Sequence, residues 1–271
     1  MPSEPAAALP LRHAVALGVL HGPAELLPIS SSGHIALVPW LLDWPAARLD
    51  PDLRKAFEVA LHAGTAAALL IALRGEVREA VAAFDARRAG LIALSSGPPA
   101  LVALTFERPI ERHLGTPGTV AAGLAAGSAA MLWADGAPQE RDRADAGAAD
   151  ALWLGLAQTA ALIPGVSRNG ATLVAARRRR FRRQDANALS RHVALPIITA
   201  ASVLKGWRLA QRGLPAGLRG AFAAGVGASF ASTLASTWLI RQVERDRSLA
   251  PYAAYRLLLA GAVVRRLRKN R

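Results

Sequence analysis

The stretch Leu-Pro-Ile-Ser-Ser-Ser-Gly-His, Leu27 to His34, interrupts an apolar segment that runs from His13 to Leu42. Proline removes a backbone donor and clashes with the preceding helical turn, and clustered Ser and Gly favour turns, so one helix ends here and another begins. A second stretch, Ile-Pro-Gly-Val-Ser-Arg-Asn-Gly, Ile163 to Gly170, interrupts the apolar segment Ala151 to Ala176 in the same way. We therefore predict two re-entrant or broken helical hairpins.

The rest of the chain is apolar enough for a membrane protein. Hydrophobic residues make up 52% of the 271 residues, and the chain has no cysteine, which excludes disulfides and thiol chemistry. A bilayer core needs about 20 apolar residues per helix. Six segments with at most one charge are candidate spans: Ala56 to Leu73, Ala89 to Phe106, Gly115 to Ala134, Val193 to Leu204, Ala221 to Ile240 and Ser248 to Val264. We predict an all-α polytopic membrane protein with about six transmembrane helices, forming a single integral membrane domain over residues 1–271.

An internal repeat relates the two interrupted segments. A shift of 137 residues pairs Ser30 with Ser167 and Gly33 with Gly170. Interrupted hydrophobic segments at corresponding positions of two halves point to a binding site between structural repeats. The predicted halves are residues 1–140 and 150–271, joined by a linker at Asp135 to Asp150, and we expect the two motifs to face each other.

The charge is strongly basic, with a formal net charge of +14. The basic residues lie between apolar runs and aromatic residues make up only 5% of the chain, so nucleic acid is excluded as a partner. Lipid headgroups, phosphate ligands or topology signals explain the charge better. We expect the arginine run from Arg177 to Arg183 to lie at a membrane surface, facing solvent or headgroups.

The two motifs carry the residue types of a phosphoryl-transfer site. Ser31 offers a hydroxyl nucleophile, His34 an imidazole to move its proton, Glu25 a carboxylate and Arg168 a cation for the phosphoryl oxygens. A Ser-Gly cluster that starts a half-helix also presents backbone N–H groups to an anion. Other ionisable residues in apolar segments are His21, Glu58, His62 and Arg256, and for the last three we favour structural roles over catalysis.

The motifs resemble a known family. The segments Gly22 to His34 and Ala161 to Thr172 resemble the two signature motifs of the undecaprenyl-diphosphate phosphatase family, the bacitracin-resistance type, and Phe57 to Thr65 and Ala250 to Arg256 look like two further family segments. The resemblance implies a multi-pass enzyme of the bacterial inner membrane. Such an enzyme removes one phosphate from undecaprenyl diphosphate and so recycles the lipid carrier of peptidoglycan synthesis. The resemblance also implies inverted repeats and a divalent cation, Mg²⁺ or Ca²⁺.

The resemblance assigns roles residue by residue. Glu25 matches an acidic position of the family, Ser31 its proposed nucleophile and His34 its histidine. The predicted phosphate- and substrate-binding residues are Ser30, Ser32, Gly33, Ser167, Arg168, Asn169 and Gly170. Glu25 is the expected metal ligand. His21 stands where the family usually has Glu or Gln, and its part in metal binding is left open.

Several alternatives fit the same residues. Ser31 attacks the terminal phosphorus with His34 assisting proton transfer, or water attacks directly and Ser31 only binds the substrate. Glu25 binds the metal or acts as acid and base. A transporter that moves a polyprenyl phosphate or another anion without hydrolysis is the alternative function, because broken helices in repeats suit it equally. The expected partners are a polyprenyl diphosphate and membrane lipids, and a homodimer is allowed.

Overall fold

The fold is helical throughout residues 9–245 and 248–270, which the computed structural model describes. Those residues form twelve α-helices and no β-strand, which confirms the all-α prediction. The helices are α1 Leu11–Leu26, α2 Ser31–Leu41, α3 Pro51–Ala72, α4 Arg74–Ala82, α5 Ala86–Leu114, α6 Pro117–Asp135, α7 Ala148–Ala160, α8 Arg168–Arg178, α9 Arg183–Arg212, α10 Ala216–Ala235, α11 Trp238–Arg245 and α12 Ala250–Lys269.

Helices α1 and α2 form a first hairpin, and α7 and α8 form a second. The helix breaks lie where the sequence predicts them. Ser30 precedes α2 with φ 77° and Ser167 precedes α8 with φ 72°, so both occupy the left-handed half of backbone space. Each serine caps its helix by accepting a hydrogen bond, from Gly33 N–H at 3.3 Å in α2 and from Gly170 N–H at 3.2 Å in α8. The two hairpins therefore share one local design.

Small residues let the helices that hold the hairpins approach closely. Helix α1 packs on α10, and a Cβ on Gly18 would lie 2.5 Å from the carbonyl oxygen of Gly225. Helix α6 packs under the second break, where a Cβ on Gly123 would overlap the carbonyl oxygen of Pro164. Backbone contact through small residues is the usual packing of membrane helices. Helix α12 lies against α6.

Among the described residues, two helical segments are long and apolar enough to cross a membrane, Pro51–Ala72 and Ala86–Phe106. A third span results if Ala216–Ala235 and Trp238–Arg245, which are bent by 51°, cross together. Only 11% of the apolar stretch in α5 is buried within the protein. Leu104 on this stretch is 68% exposed. Such an apolar face is suited to lipid. The count of about six spans stays a prediction.

The arginine run between α8 and α9 binds the linker of residues 135–150. Arg177 is only 2% exposed and donates hydrogen bonds to the carbonyl oxygens of Ala137 and Phe181. The prediction that the run faces solvent or headgroups is therefore wrong for Arg177, because linker and loop carbonyls take the place of water around its guanidinium. Arg178 lies over the ring of Trp133. Four further arginines pair with linker acids: Arg179 with Asp150, Arg180 with Glu140, Arg182 with Asp142 and Arg183 with Asp135.

Candidate active site

A buried carboxylate joins the two hairpins. Glu25 lies in the last turn of α1 and is 8% exposed. Its Oε2 accepts a hydrogen bond from Ser31 Oγ at 2.5 Å, and its Oε1 pairs with Nη2 of Arg168. Ser31 is the first residue of α2 and Arg168 the first residue of α8. Three of the four residues predicted to be catalytic therefore meet at one carboxylate, with one partner from each hairpin.

His34, the fourth predicted catalytic residue, faces other partners. Its Nδ1 lies 2.7 Å from the carbonyl oxygen of Ser30, and its Nε2 lies 2.8 Å from the hydroxyl of Tyr255. The imidazole also stacks on the Tyr255 ring, with the ring centroids 5.5 Å apart. The sequence assigned the proton of Ser31 to His34, whereas the structure places Glu25 at that hydroxyl. His34 instead holds the turn at Ser30.

The helix starts of both hairpins line one cavity of about 980 Å³. Ser30, Ser31 and Ser32 line it from the first hairpin, and Ser167, Arg168 and Asn169 line it from the second. The first N–H groups of a helix have no intrahelical acceptor, and the helix dipole places positive charge there. Two such ends beside an arginine suit an anion. The cavity is therefore built for a group such as a diphosphate.

The remaining predicted substrate-binding residues lie around this cavity. Gly33 and Gly170 lie behind the serine caps, where their N–H groups are bound by the cap hydroxyls. Asn169 donates from Nδ2 to the carbonyl oxygen of Leu26 at 3.0 Å and accepts at Oδ1 from Ser190 at 3.1 Å. Asn169 therefore links the hairpins as well as lining the cavity.

Charged side chains surround the far part of the same cavity. Lys55 bridges Glu58 at 3.2 Å and Glu111 at 3.1 Å. Arg108 and Arg112 line the cavity nearby on α5. A mouth with this polarity suits a water-soluble headgroup, while the apolar face of α5 suits lipid.

Arg256 ties the two breaks together from below. The residue lies in α12 and is completely buried. Its Nη1 donates to the carbonyl oxygen of Pro28 at 3.2 Å, and its Nη2 donates to those of Gly165 at 3.0 Å and Val166 at 2.9 Å. In the sequence, Arg256 is an isolated charge within an apolar span, and such charges are energetically costly and usually functional. Here the guanidinium binds backbone carbonyl oxygens at the two helix breaks.

Two histidines adjoin Glu25 on the side away from Arg168. His21 is fully buried and its Nε2 lies 3.3 Å from Nδ1 of His62. Nε2 of His62 lies 3.4 Å from Oε2 of Glu25. Among the described residues, His21, Glu25 and His62 form a group whose ligand atoms all lie within 4.8 Å of one another. The sequence marked His62 only as an ionisable residue in a span, since its partner His21 is 41 residues away.

Comparison with known proteins gives a consistent result. The family model described as bacitracin resistance protein BacA matches residues 14–262. The chain is 38% identical to an undecaprenyl-diphosphatase of Geobacter sulfurreducens, over 94% of this chain and 97% of the relative. It is also 38% identical to an undecaprenyl-diphosphatase of Pelobacter propionicus, over 94% and 96%, and 33% identical to one of Burkholderia mallei, over 90% and 91%.

Proposed function

The chain belongs to the bacitracin resistance protein BacA family, and from this premise we propose that it removes the terminal phosphate of undecaprenyl diphosphate at the site around Glu25. The observation that carries the proposal is the contact of one buried carboxylate with both the Ser31 hydroxyl and the Arg168 guanidinium. These are the groups that transfer of a phosphoryl group to a hydroxyl requires. The product is undecaprenyl phosphate, the lipid carrier used in cell-wall synthesis.

The reaction begins with attack of Ser31 Oγ on the terminal phosphorus. The hydroxyl proton passes to Oε2 of Glu25, which already accepts its hydrogen bond at 2.5 Å. The bond between the terminal phosphorus and the bridging oxygen breaks, and the lipid monophosphate leaves with the bridging oxygen. Glu25 passes the proton to the departing lipid phosphate and becomes a carboxylate again. It then takes a proton from water, which attacks the phosphoserine, and it returns that proton to Ser31 Oγ as inorganic phosphate is released. Direct attack by water with Glu25 as base uses the same contacts, and Ser31 then only binds the phosphate.

Arg168 and the helix starts supply the electrostatic part of the reaction. The charge on the three equatorial oxygens must be balanced as the phosphoryl group transfers, and a planar guanidinium suits two of them at once. The Arg168 side chain is 22% exposed to the cavity, so it can turn from Glu25 to the phosphate. The cap residues Ser30 and Ser167 hold the helix N-termini toward the same phosphate, with Ser32 and Asn169 beside them.

The expected Mg²⁺ or Ca²⁺ does not fit this residue set. Both ions prefer several oxygen ligands, usually from more than one carboxylate. Around Glu25 the neighbouring side chains are two imidazoles, a guanidinium and a hydroxyl, and Glu58, an acid on the same cavity, is bound by Lys55 at 3.2 Å.

The family membership also bears on the membrane location and architecture of the enzyme. We propose a multi-pass protein of the bacterial inner membrane, with about six spans and with residues 1–140 and 150–271 as inverted repeats. The matching cap geometry at Ser30 and Ser167 supports the repeat, and the exposed apolar face of α5 supports the membrane. A homodimer stays a prediction.

Release of inorganic phosphate from a C15 polyprenyl diphosphate by detergent-purified protein tests the function. We expect release by wild type, a loss of at least about 1000-fold in Ser31→Ala, and no loss in Thr105→Ala. Thr105 is a matched control, because its exposed hydroxyl bonds to Leu101 of its own helix. Denaturing mass spectrometry of acid-quenched protein distinguishes the two routes, since only attack by Ser31 leaves a phosphoserine. A folded protein that binds the diphosphate without releasing phosphate would instead be the transporter.

A further inference from the structure

We propose that His21, Glu25 and His62 bind a divalent transition-metal ion of the zinc type, in place of the Mg²⁺ or Ca²⁺ that the family resemblance implies. Two histidines and one glutamate are an established zinc ligand set, and imidazole nitrogen suits Zn²⁺, Co²⁺ and Fe²⁺ far better than Mg²⁺ or Ca²⁺.

The spacing of the three side chains suits one shared ion. Their ligand atoms lie within 4.8 Å of one another. Atoms bound to a single tetrahedral zinc at about 2.0–2.1 Å are about 3.4 Å apart. Nε2 of His62 is already 3.4 Å from Oε2 of Glu25. Nε2 of His21 lies 3.3 Å from Nδ1 of His62, so this ring has to turn toward Nε2 of His62 and Oε2 of Glu25 to complete the triangle.

Hydrogen bonds turn the correct nitrogen of each ring toward the site. His21 Nδ1 lies 2.9 Å from Thr65 Oγ1, which is itself 3.0 Å from Thr233 Oγ1. His62 Nδ1 lies 2.9 Å from the carbonyl oxygen of Glu58, which can only accept. That bond places the His62 proton on Nδ1 and the lone pair on Nε2, and a donated bond to Thr65 does the same for His21. Metal-binding histidines are oriented in this way by their second nitrogen.

The position of the ion leaves the pair of Glu25 with Arg168 in place, and the ion shares Oε2 with the hydrogen bond from Ser31. Arg168 pairs with Oε1, whereas His62 faces Oε2. His21 is fully buried, but His62 and Glu25 line the cavity, so a fourth coordination position opens toward it. Catalytic zinc sites keep such a position open for water or substrate. That this position accepts a phosphate oxygen rests on the proposed function, whereas binding of the ion does not.

The test is metal binding by the full-length protein, purified in detergent without a polyhistidine tag and stripped with chelator. Zn²⁺ is titrated by calorimetry, and Co²⁺ is added as a probe whose visible absorption reports its ligands. We compare wild type with His21→Gln and His62→Gln. His13→Gln is the matched control, because His13 lies on the same helix but stacks on Trp44, with the ring centroids 4.3 Å apart.

We expect one Zn²⁺ per chain in wild type and in His13→Gln, with binding at least about tenfold weaker in each of the other variants. Millimolar Mg²⁺ or Ca²⁺ should not displace it. The proposal fails if wild type binds no Zn²⁺, if both histidine variants bind it as wild type does, or if Mg²⁺ binds equally well. Should His21→Gln not fold, His62→Gln carries the test, since the His62 side chain is 24% exposed to the cavity.

Phosphate release is measured on the same samples to keep the two conclusions separate. Zn²⁺ binding without phosphate release overturns the proposed function and leaves the metal site. Phosphate release by a protein that binds no Zn²⁺ overturns the metal site and leaves the function.

Discussion

The two hairpins share the same backbone geometry at the break but carry different side chains there. Ser30 and Ser167, 137 residues apart, have φ angles of 77° and 72° and cap their helices through the same bond to a glycine three residues on. At the same register, however, Ser31 corresponds to Arg168. The repeated part is the backbone that presents a helix start to an anion, and the chemistry is divided between the copies.

The division extends to the neighbouring positions. Glu25 of the first hairpin corresponds to Leu162 of the second, and His34 corresponds to Ala171. The first hairpin therefore holds the proposed nucleophile and proton acceptor, and the second holds the phosphate-binding cation. Each hairpin alone is an incomplete site, and the predictions below test that division.

Removing the cation should have the largest effect on the second hairpin. We expect Arg168→Ala to lower kcat/KM for phosphate release by about 100- to 1000-fold, the usual cost of losing one preorganised group that stabilises transition-state charge. Arg168→Lys should recover part of the loss, because it keeps the charge but loses the planar fork. Steady-state phosphate release measures both. Equal rates for wild type and Arg168→Ala would refute the division.

Arg256 tests whether the two hairpins must be held in register. Its guanidinium binds the carbonyl oxygens of Pro28 and Gly165, which correspond under the 137-residue shift. We expect Arg256→Met to lower kcat by about 10- to 100-fold, since a displacement of about 1 Å costs that much. The melting temperature should fall as well, because three buried carbonyls lose a donor. The kcat of Arg256→Lys, whose ammonium reaches fewer carbonyls, should lie between those of wild type and Arg256→Met. A normal kcat in Arg256→Met would show that Arg256 is not needed to hold the two hairpins in register.

Different interactions join the two helices of each hairpin at the ends away from the break. We therefore expect the stability of the two hairpins to respond differently to pH. Burial favours a higher pKa for Asp150, but hydrogen bonds from Arg141, Gly147 N–H and Arg179 outweigh it and lower the pKa to about 2. In the first hairpin His13 and Trp44 stack near the corresponding ends.

A carboxyl whose pKa is lowered on folding contributes stability above its unfolded pKa of about 4 and loses it as the pH falls toward 2. We therefore expect Asp150→Asn to cost about 1–3 kcal/mol of unfolding free energy at neutral pH. The cost should shrink as the pH falls from 4 toward 2. Melting curves in detergent across that range measure it, and a pH-independent difference between the two proteins would be inconsistent with the ion pairs.

The sequence could predict the helix breaks but not the contacts made at them. Pro28 and the Ser-Gly cluster act locally, so their effect follows from the residues themselves. Which side chain meets Ser31 depends on the left-handed turn at Ser30, which reverses the chain and returns Ser31 to Glu25, six residues earlier. His34 lies on the same helix as Ser31 and only three residues later, so the sequence favours it as the partner of the Ser31 hydroxyl. Its Nδ1 instead lies 2.7 Å from the carbonyl oxygen of Ser30. The burial of Arg177 likewise depends on the fold of the distant linker.

The smallest predicted effect concerns the caps, where the two hairpins should behave alike. Ser30→Ala and Ser167→Ala remove the cap bond and leave the left-handed backbone in place, so each should cost about 1 kcal/mol of unfolding free energy. Ser→Gly at either position also loses the bond, but it relieves the left-handed strain of about 1 kcal/mol, so its stability should stay near that of wild type. Denaturant titration in detergent measures all four variants. Equal changes in unfolding free energy at Ser30 and Ser167 would show that the repeated backbone is energetically equivalent in both hairpins. A much larger loss of stability at Ser30 alone would show that the two breaks are not equivalent.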